Sequence, residues 1–167
     1  MKQPALVIIK PDGVTKQLVG NVFMKFDKTG LEMVAIRIAR ASRKLAEEHY
    51  AHLKGRPFFG DVVSYLAGQF HKEKKLITMI YYGEDAIKKC RKVAGATNPE
   101  DAEPDTIRGS YGRITTAGIF ENVVHVSSDN QEAEREIKLW FDPDDITVDL
   151  YPTKTKIVAS CKKRVWA

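Results

Sequence analysis

The sequence predicts an α+β fold of ferredoxin-like type: a four-stranded antiparallel sheet with helices in the order βαββαβ, plus an inserted helical hairpin. Three observations lead there. Four short runs rich in β-forming residues, PALVII (4–9), LEMVAIRIA (31–39), LITMIYY (76–82) and IFENVVH (119–125), are bounded by turn residues. Stretches of helical character separate them, and the gap between the second and third runs holds two. Without that extra pair the order is β, α, β, β, α, β, which suits an antiparallel sheet with helices on one face.

PALVII is continuously apolar, so a buried strand is expected to run into the turn chemistry of Pro11, Asp12 and Gly13. Residues 17–28 carry Leu18, Val22, Met24 and Phe26, and Gly30 supplies a helix stop. LEMVAIRIA is apolar on both alternating faces, as for a strand covered on two sides, or on one side plus a subunit contact. Ser42 opens a helix through KLAEEHYAHL, and Pro57 stands near the first turn of another through FFGDVVSYLAG. LITMIYY is the third strand and GEDAIKKCRKVAG a helix closed by Gly95. The stretch at 97–118 is a long loop, a kind that is often functional. IFENVVH is the fourth strand. Asp129 can then cap a helix, Glu132 can complete a capping box, and Ala133, Ile137, Trp140 and Phe141 form one apolar stripe.

At 167 residues and 43% hydrophobic content, one core and a single domain over 1–167 are expected. The net charge of +5 favours anionic partners such as phosphates or nucleic acid. Part of it is local, in Lys88, Lys89, Arg91 and Lys92 and in the tail residues Lys162, Lys163 and Arg164, and either cluster can be a solvated face. Cys90 and Cys161 are isolated, without zinc or CxxC spacing, which fits a reducing cytoplasm. The run Ala5 to Ile9 is shorter than a signal-peptide core, and no stretch reaches membrane-spanning length. Neither GxxxxGK[ST] nor GxGxxG occurs, which removes the common nucleotide-binding motifs. His49 and His52 are three apart on a helix but lack a third metal ligand, so surface exposure is expected for both. Tyr81 and Tyr82 with the basic charge suggest an RNA-binding module, but the Gly-aromatic run of such modules is missing.

His125 ends an apolar run, and Ser127, Ser128 and Asp129 follow it closely. It could be a core residue, a metal ligand, a general base or a nucleophile. Glu136 falls at the edge of the apolar stripe, three residues after Ala133 and four before Trp140, where an unpaired carboxylate is costly. Its nearest candidate partners are Ser127 and His125. A carboxylate that accepts one ring N–H fixes the tautomer and leaves the other nitrogen a lone pair. The plainer alternative pairs Glu136 with a surface lysine and leaves His125 as a strand end. A histidine nucleophile acting on phosphate would need cationic and N–H groups around the transferred oxygens. Lys10, Arg91, Thr97 and Arg108 are available, although each alone has an ordinary structural reading.

Five segments in order, VIIKPDGV (7–14), HYAHLKGRPFF (49–59), GATNPEDAEPDTIRG (95–109), NVVH (122–125) and AEREIKLWF (133–141), resemble the nucleoside diphosphate kinases over almost the whole chain. The resemblance implies magnesium-dependent, ping-pong transfer of the terminal phosphate of a nucleoside triphosphate, typically ATP, to a nucleoside diphosphate through a phosphohistidine at His125. It also implies that Glu136 orients the ring, with Ser127 assisting and Tyr50 close by. Lys10, Arg91, Thr97 and Arg108 would bind phosphates, Asn122 would contact the sugar, and Phe58 would stack on the base opposite Ile119. Stacking reads no base edge, so many bases would be accepted. Magnesium is expected on nucleotide phosphates and water rather than in a protein cage. The partners implied are nucleotides and further copies of the chain, as a hexamer in the cytoplasm, without a membrane or a specific nucleic acid.

The alternative is a catalytically silent nucleotide-binding or scaffold relative. It leans on one departure: the family has Ser-Asp-Ser where this chain has Ser127, Ser128 and Asp129, the aspartate one place late. Segments 68–75 and 110–118 are also longer than the family's. Asn122 and His125 differ by three, so an ideal strand points them to opposite faces. If both reach one ligand, the strand must end or bend between them.

Overall fold

The computed structural model describes residues 2–71, 73–155 and 157; Cys161 and the basic residues Lys162, Lys163 and Arg164 lie outside the described residues. The chain runs β1 (Lys2–Ile9), α1 (Pro11–Thr15), α2 (Val19–Asp27), β2 (Glu32–Ala39), α3 (Arg43–His49), α4 (Phe59–Leu66) and β3 (Leu76–Glu84). It continues through α5 (Ala86–Ala94), α6 (Ile107–Tyr111), β4 (Arg113–Ile114), β5 (Phe120–Glu121), β6 (Val124–Val126) and α7 (Asn130–Trp140). The main sheet has the order β2-β3-β1-β6 with every neighbouring pair antiparallel, as the predicted fold requires.

The continuous apolar run of β1 has a direct cause, because helices cover both faces of the sheet rather than one. Ala5, Val7 and Ile9 pack with Met79 and Tyr81 against Val22 and Phe26 of α2 and Ile87 and Cys90 of α5. Leu6 and Ile8 pack with Ile80 against Ala46 of α3, Val63 and Leu66 of α4, and Ile137 and Trp140 of α7. Each fully buried Val, Leu, Ile, Phe or Met among these contributes on the order of 1.5–3 kcal/mol. The inserted α3–α4 pair is therefore a second cover for the sheet. Tyr81 is buried and stacked on Phe26 at 5.2 Å, which removes it as a platform for bases.

Local signals explain the element ends. Ser42 Oγ accepts the Leu45 N–H at 3.1 Å to start α3, and Thr106 Oγ1 accepts the Gly109 N–H at 3.2 Å to start α6. Gly95 ends α5 at φ +86°, where a Cβ would meet Thr106 Oγ1 at 2.3 Å.

Three further expectations change. Pro11 to Gly13 form the start of a short helix rather than a bare turn, with proline at its first position. The long loop contains α6. IFENVVH is not one strand: Phe120 and Glu121 pair with β4 in a hairpin, while Val124 to Val126 join β1 in the main sheet. The break falls at Val123, which has φ +65°.

Candidate active site

A cleft of about 580 Å³ is walled by the α3–α4 segment, the exit of β1, parts of α5 and α6, the tip of the β4–β5 hairpin, and β6. Lys10, Tyr50, Phe58, Arg91, Thr97, Arg108, Ile119, Asn122, His125 and Glu136 all line it. Ser127 is fully buried behind Glu136. Asn122 and His125 share this wall because of the left-handed residue between them, the bend that the spacing demands.

His125 lies on β6 with 16% of its side chain exposed. Its Nε2 is 2.8 Å from Glu136 Oε1, and the Ser127 hydroxyl donates to Glu136 Oε2 at 2.6 Å. Ser127 is itself fixed, since its Oγ accepts the Leu6 N–H at 3.2 Å. Burial works against ionisation of Glu136, but the His125 ring and the Ser127 hydroxyl outweigh it and hold the carboxyl below its ordinary range. An ionised carboxylate only accepts, so Nε2 carries the proton and Nδ1 the lone pair. Glu136 is thus the buried partner of His125 and Ser127, not of a surface lysine.

Tyr50 presents its ring edgewise, 6.4 Å from that of His125, and burial raises its pKa. His49 is a correction. It is fully buried, with its ring 4.4 Å from that of His125, and its Nδ1 accepts the Trp140 Nε1–H at 3.2 Å. The cause is that α3 ends at His49 and a 3-10 turn follows at Ala51–Leu53, which turns His52 outward while His49 stays inside. Burial, then His125, pushes the pKa of His49 well below its ordinary value, so it is neutral.

Ligand atoms of His49, His125 and Glu136 lie within 4.8 Å of one another. Their chemistry is nevertheless that of a hydrogen-bond cluster. The His49 Nδ1 is an acceptor, so its Nε2 bears hydrogen, and both Glu136 oxygens are engaged.

Cations surround the rest of the cleft. Lys10 is buried at the end of β1; its Nζ donates to Asn122 Oδ1 and lies 4.4 Å from the centre of the Tyr65 ring. Burial lowers its pKa to about 8, with Asp12 opposing. Asn122 Nδ2 donates to the Thr97 carbonyl at 2.7 Å. Arg108 is buried and donates to the carbonyls of Gly95 at 2.8 Å and Val124 at 2.9 Å; burial, then Arg91, lowers its pKa to about 10. The side chains of Arg91 and Thr97 are exposed. Phe58, at the N-cap of α4, is 48% exposed, and Ile119 is held at the hairpin tip by paired bonds with Thr115.

Asp129 caps α7 by accepting the Glu132 N–H at 2.9 Å, and Ser128 stands in the cleft wall instead. Glu132 completes no capping box, because its carboxylate pairs with Arg135 at 2.6 Å and lies 3.4 Å from His52. Sequence reasoning missed Asp61, Val62 and Tyr65 in the wall. They follow Phe58 by three, four and seven residues, so one helical face starting at Phe58 would have found them.

The sequence model of the family described as nucleoside diphosphate kinase matches residues 3–146. A nucleoside diphosphate kinase of Pyrococcus furiosus is 43% identical over 141 residues, covering 84% of this chain and 84% of that protein. Among solved structures, a halophilic nucleoside diphosphate kinase from Halobacterium salinarum in complex with CDP is 36% identical with a TM-score of 0.79, covering 89% of this chain and 93% of the other. The Borrelia burgdorferi enzyme, solved as a transition-state mimic with bound vanadate and ADP, is 30% identical with a TM-score of 0.77, covering 92% and 93%. With its cleft, its ordered histidine and these relatives, the chain belongs to the nucleoside diphosphate kinase family.

Proposed function

We propose that this kinase moves the terminal phosphate of a nucleoside triphosphate, ATP among them, to a nucleoside diphosphate through a phosphohistidine on Nδ1 of His125. The observation that carries this reading is the 2.8 Å contact between Nε2 and Glu136, which commits one ring nitrogen and leaves the other a lone pair in a cation-lined cleft. In the first half-reaction the Nδ1 lone pair forms the N–P bond as the P–O bond to the departing diphosphate breaks. The ring keeps its Nε2 proton and becomes positive, and Glu136 stabilises that charge. In the second half-reaction a terminal oxygen of another diphosphate attacks the same phosphorus, and the N–P bond breaks to restore the lone pair.

Lys10, Arg91 and Arg108 hold the phosphates with Thr97, while Asn122 contacts the sugar. Phe58 stacks on the base opposite Ile119, Ser127 fixes Glu136, and Tyr50 buttresses the His125 ring. The common lining of one cleft by all of these except Ser127, which is buried behind Glu136, supports this division of labour. Magnesium, carried on the nucleotide phosphates, neutralises their charge when bound. Ser128 would offer a hydroxyl oxygen at the wall to its water ligands, whereas the nitrogen-rich His49 cluster does not suit so hard a cation.

The proposal includes a homo-oligomer, a hexamer, in the cytoplasm. Edge strand β2 exposes Ile36 at 53% and Ile38 at 69%, an apolar edge that a second copy would cover. Cys90, a buried free thiol whose pKa burial raises to about 12, is in keeping with a reducing compartment. No helix among the described residues is long and apolar enough to cross a membrane. Light scattering checks the assembly, and a monomer mass would refute it.

Incubation with ATP labelled on its terminal phosphate is expected to give an acid-labile, alkali-stable phosphoprotein that a different nucleoside diphosphate discharges. Absence of label overturns the reading in favour of a silent relative, and equal label in His125→Ala overturns it by removing His125 as the phosphorylated residue.

A further inference from the structure

Val123 stands at φ +65°, a conformation that a β-branched residue rarely adopts, and it is fully buried. Its carbonyl-side neighbour closes the turn: the Val124 N–H donates to the Asn122 carbonyl at 2.7 Å, a γ-turn of the strained hand. Nothing in its own side chain favours this geometry, so it has to be imposed from outside.

The Lys10 to Gly13 segment supplies the constraint. Asp12 Oδ2 accepts the Val123 N–H at 2.9 Å, across 111 positions of chain. The Lys10 N–H donates to the Val123 carbonyl at 2.8 Å. Gly13 closes over the same peptide, where a Cβ would come within 3.2 Å of the Val123 carbonyl oxygen and 3.0 Å of its Cγ1. Asp12 is fully buried, its Oδ1 has no hydrogen-bond partner among the described residues, and the phosphate-transfer mechanism above gives it no task.

We propose that Asp12 is a positioning residue whose carboxylate locks Val123 in the left-handed conformation and so sets Asn122 and His125 on one wall of the cleft. The proposal rests on His125 as the nucleophile. If residue 123 relaxes to an extended conformation, side chains three positions apart return to opposite faces. Asn122 then leaves Lys10 and the Thr97 carbonyl, the two partners that aim it.

The test is single-turnover labelling of His125 by terminally labelled ATP in Asp12→Ala, Val123→Gly and the double variant, with Asp12→Asn as the conservative control. Asp12→Ala is expected to slow labelling about tenfold, the kinetic equivalent of one strained residue left unsupported. Glycine adopts φ +65° without strain, so in the Val123→Gly background Asp12→Ala is expected to cost less than about twofold. Asp12→Asn keeps an acceptor for the Val123 N–H and is expected to recover most of the rate, which separates geometry from charge.

A purely structural Asp12 would slow both backgrounds by the same factor, and that result overturns the proposal. So does wild-type labelling by Asp12→Ala, or a loss in Asp12→Asn equal to that in Asp12→Ala. If Asp12→Ala does not fold, Asp12→Leu, similar in size but without an acceptor for the Val123 N–H, is compared with and without Val123→Gly and decides by the same criteria. Labelling of the wild-type protein is the internal control: its failure removes the functional reading, whereas its success with equal factors in both backgrounds removes only the role of Asp12.

Discussion

At the His125 end of the cleft, Nε2, both Glu136 oxygens and the Ser127 hydroxyl are engaged before any ligand arrives, whereas at the other end Phe58 and Arg91 stand exposed. The first end is buried, so Glu136, Ser127 and His125 Nε2 lose solvent and find protein partners in the free enzyme. The second remains wet, and in the proposed function it forms its contacts only when the nucleotide arrives. What is organised in advance can stabilise the transition state, and what forms with the ligand governs binding. Effects at the two ends should therefore divide between kcat and KM.

The largest expected effect is at the organised end. Glu136→Ala leaves the His125 ring free to rotate and strands the Ser127 hydroxyl, and a loss of kcat of roughly a hundredfold is expected. Steady-state kinetics checks it, and the comparison fails if KM carries the loss. At the exposed end, Phe58→Ala is expected to raise KM about tenfold with kcat little changed, since base stacking contributes about 1–3 kcal/mol. A loss in kcat alone would show that the ring orders the reacting groups.

The smallest effect concerns Lys10, whose buried ammonium has its pKa lowered to about 8. Below that value it is charged and binds phosphate; above it the charge is lost, so kcat/KM should fall as pH rises. A drop of about threefold between pH 7.5 and 8.5 is expected for a single group titrating there. The kcat profile should break at higher pH, because a bound phosphate favours the ammonium form. Lys10→Arg, charged throughout, should abolish the break in kcat/KM, and a break that persists assigns it to another group.

The organised end was also the more legible one. Asp129 as a cap, the stripe Ala133, Ile137 and Trp140, and Glu136 beside it are periodic features of one helix and are in place, while Phe141 is buried but extended, just past the helix end. His49 was misread because its helix ends there; the spacing of three to His52 has meaning only on a continuous helix. Residues 119–125 have the pattern of one strand because both halves are apolar, and periodicity does not register a single left-handed residue.

The sequence alone determined the order of the four main-sheet strands, the buried character of β1 and the cap of α7, and it narrowed the partners of Glu136 to His125 and Ser127 or a surface lysine. These rest on patterns a few residues long, which local sterics and hydrophobic burial translate directly into structure. Tertiary structure alone decided that both sheet faces are covered, that His49 is buried beside His125, and that Val123 is bent by Asp12. Each of these depends on contacts between residues distant in the chain, such as Asp12 and Val123, where the energy of the pair outweighs the backbone preference of either residue.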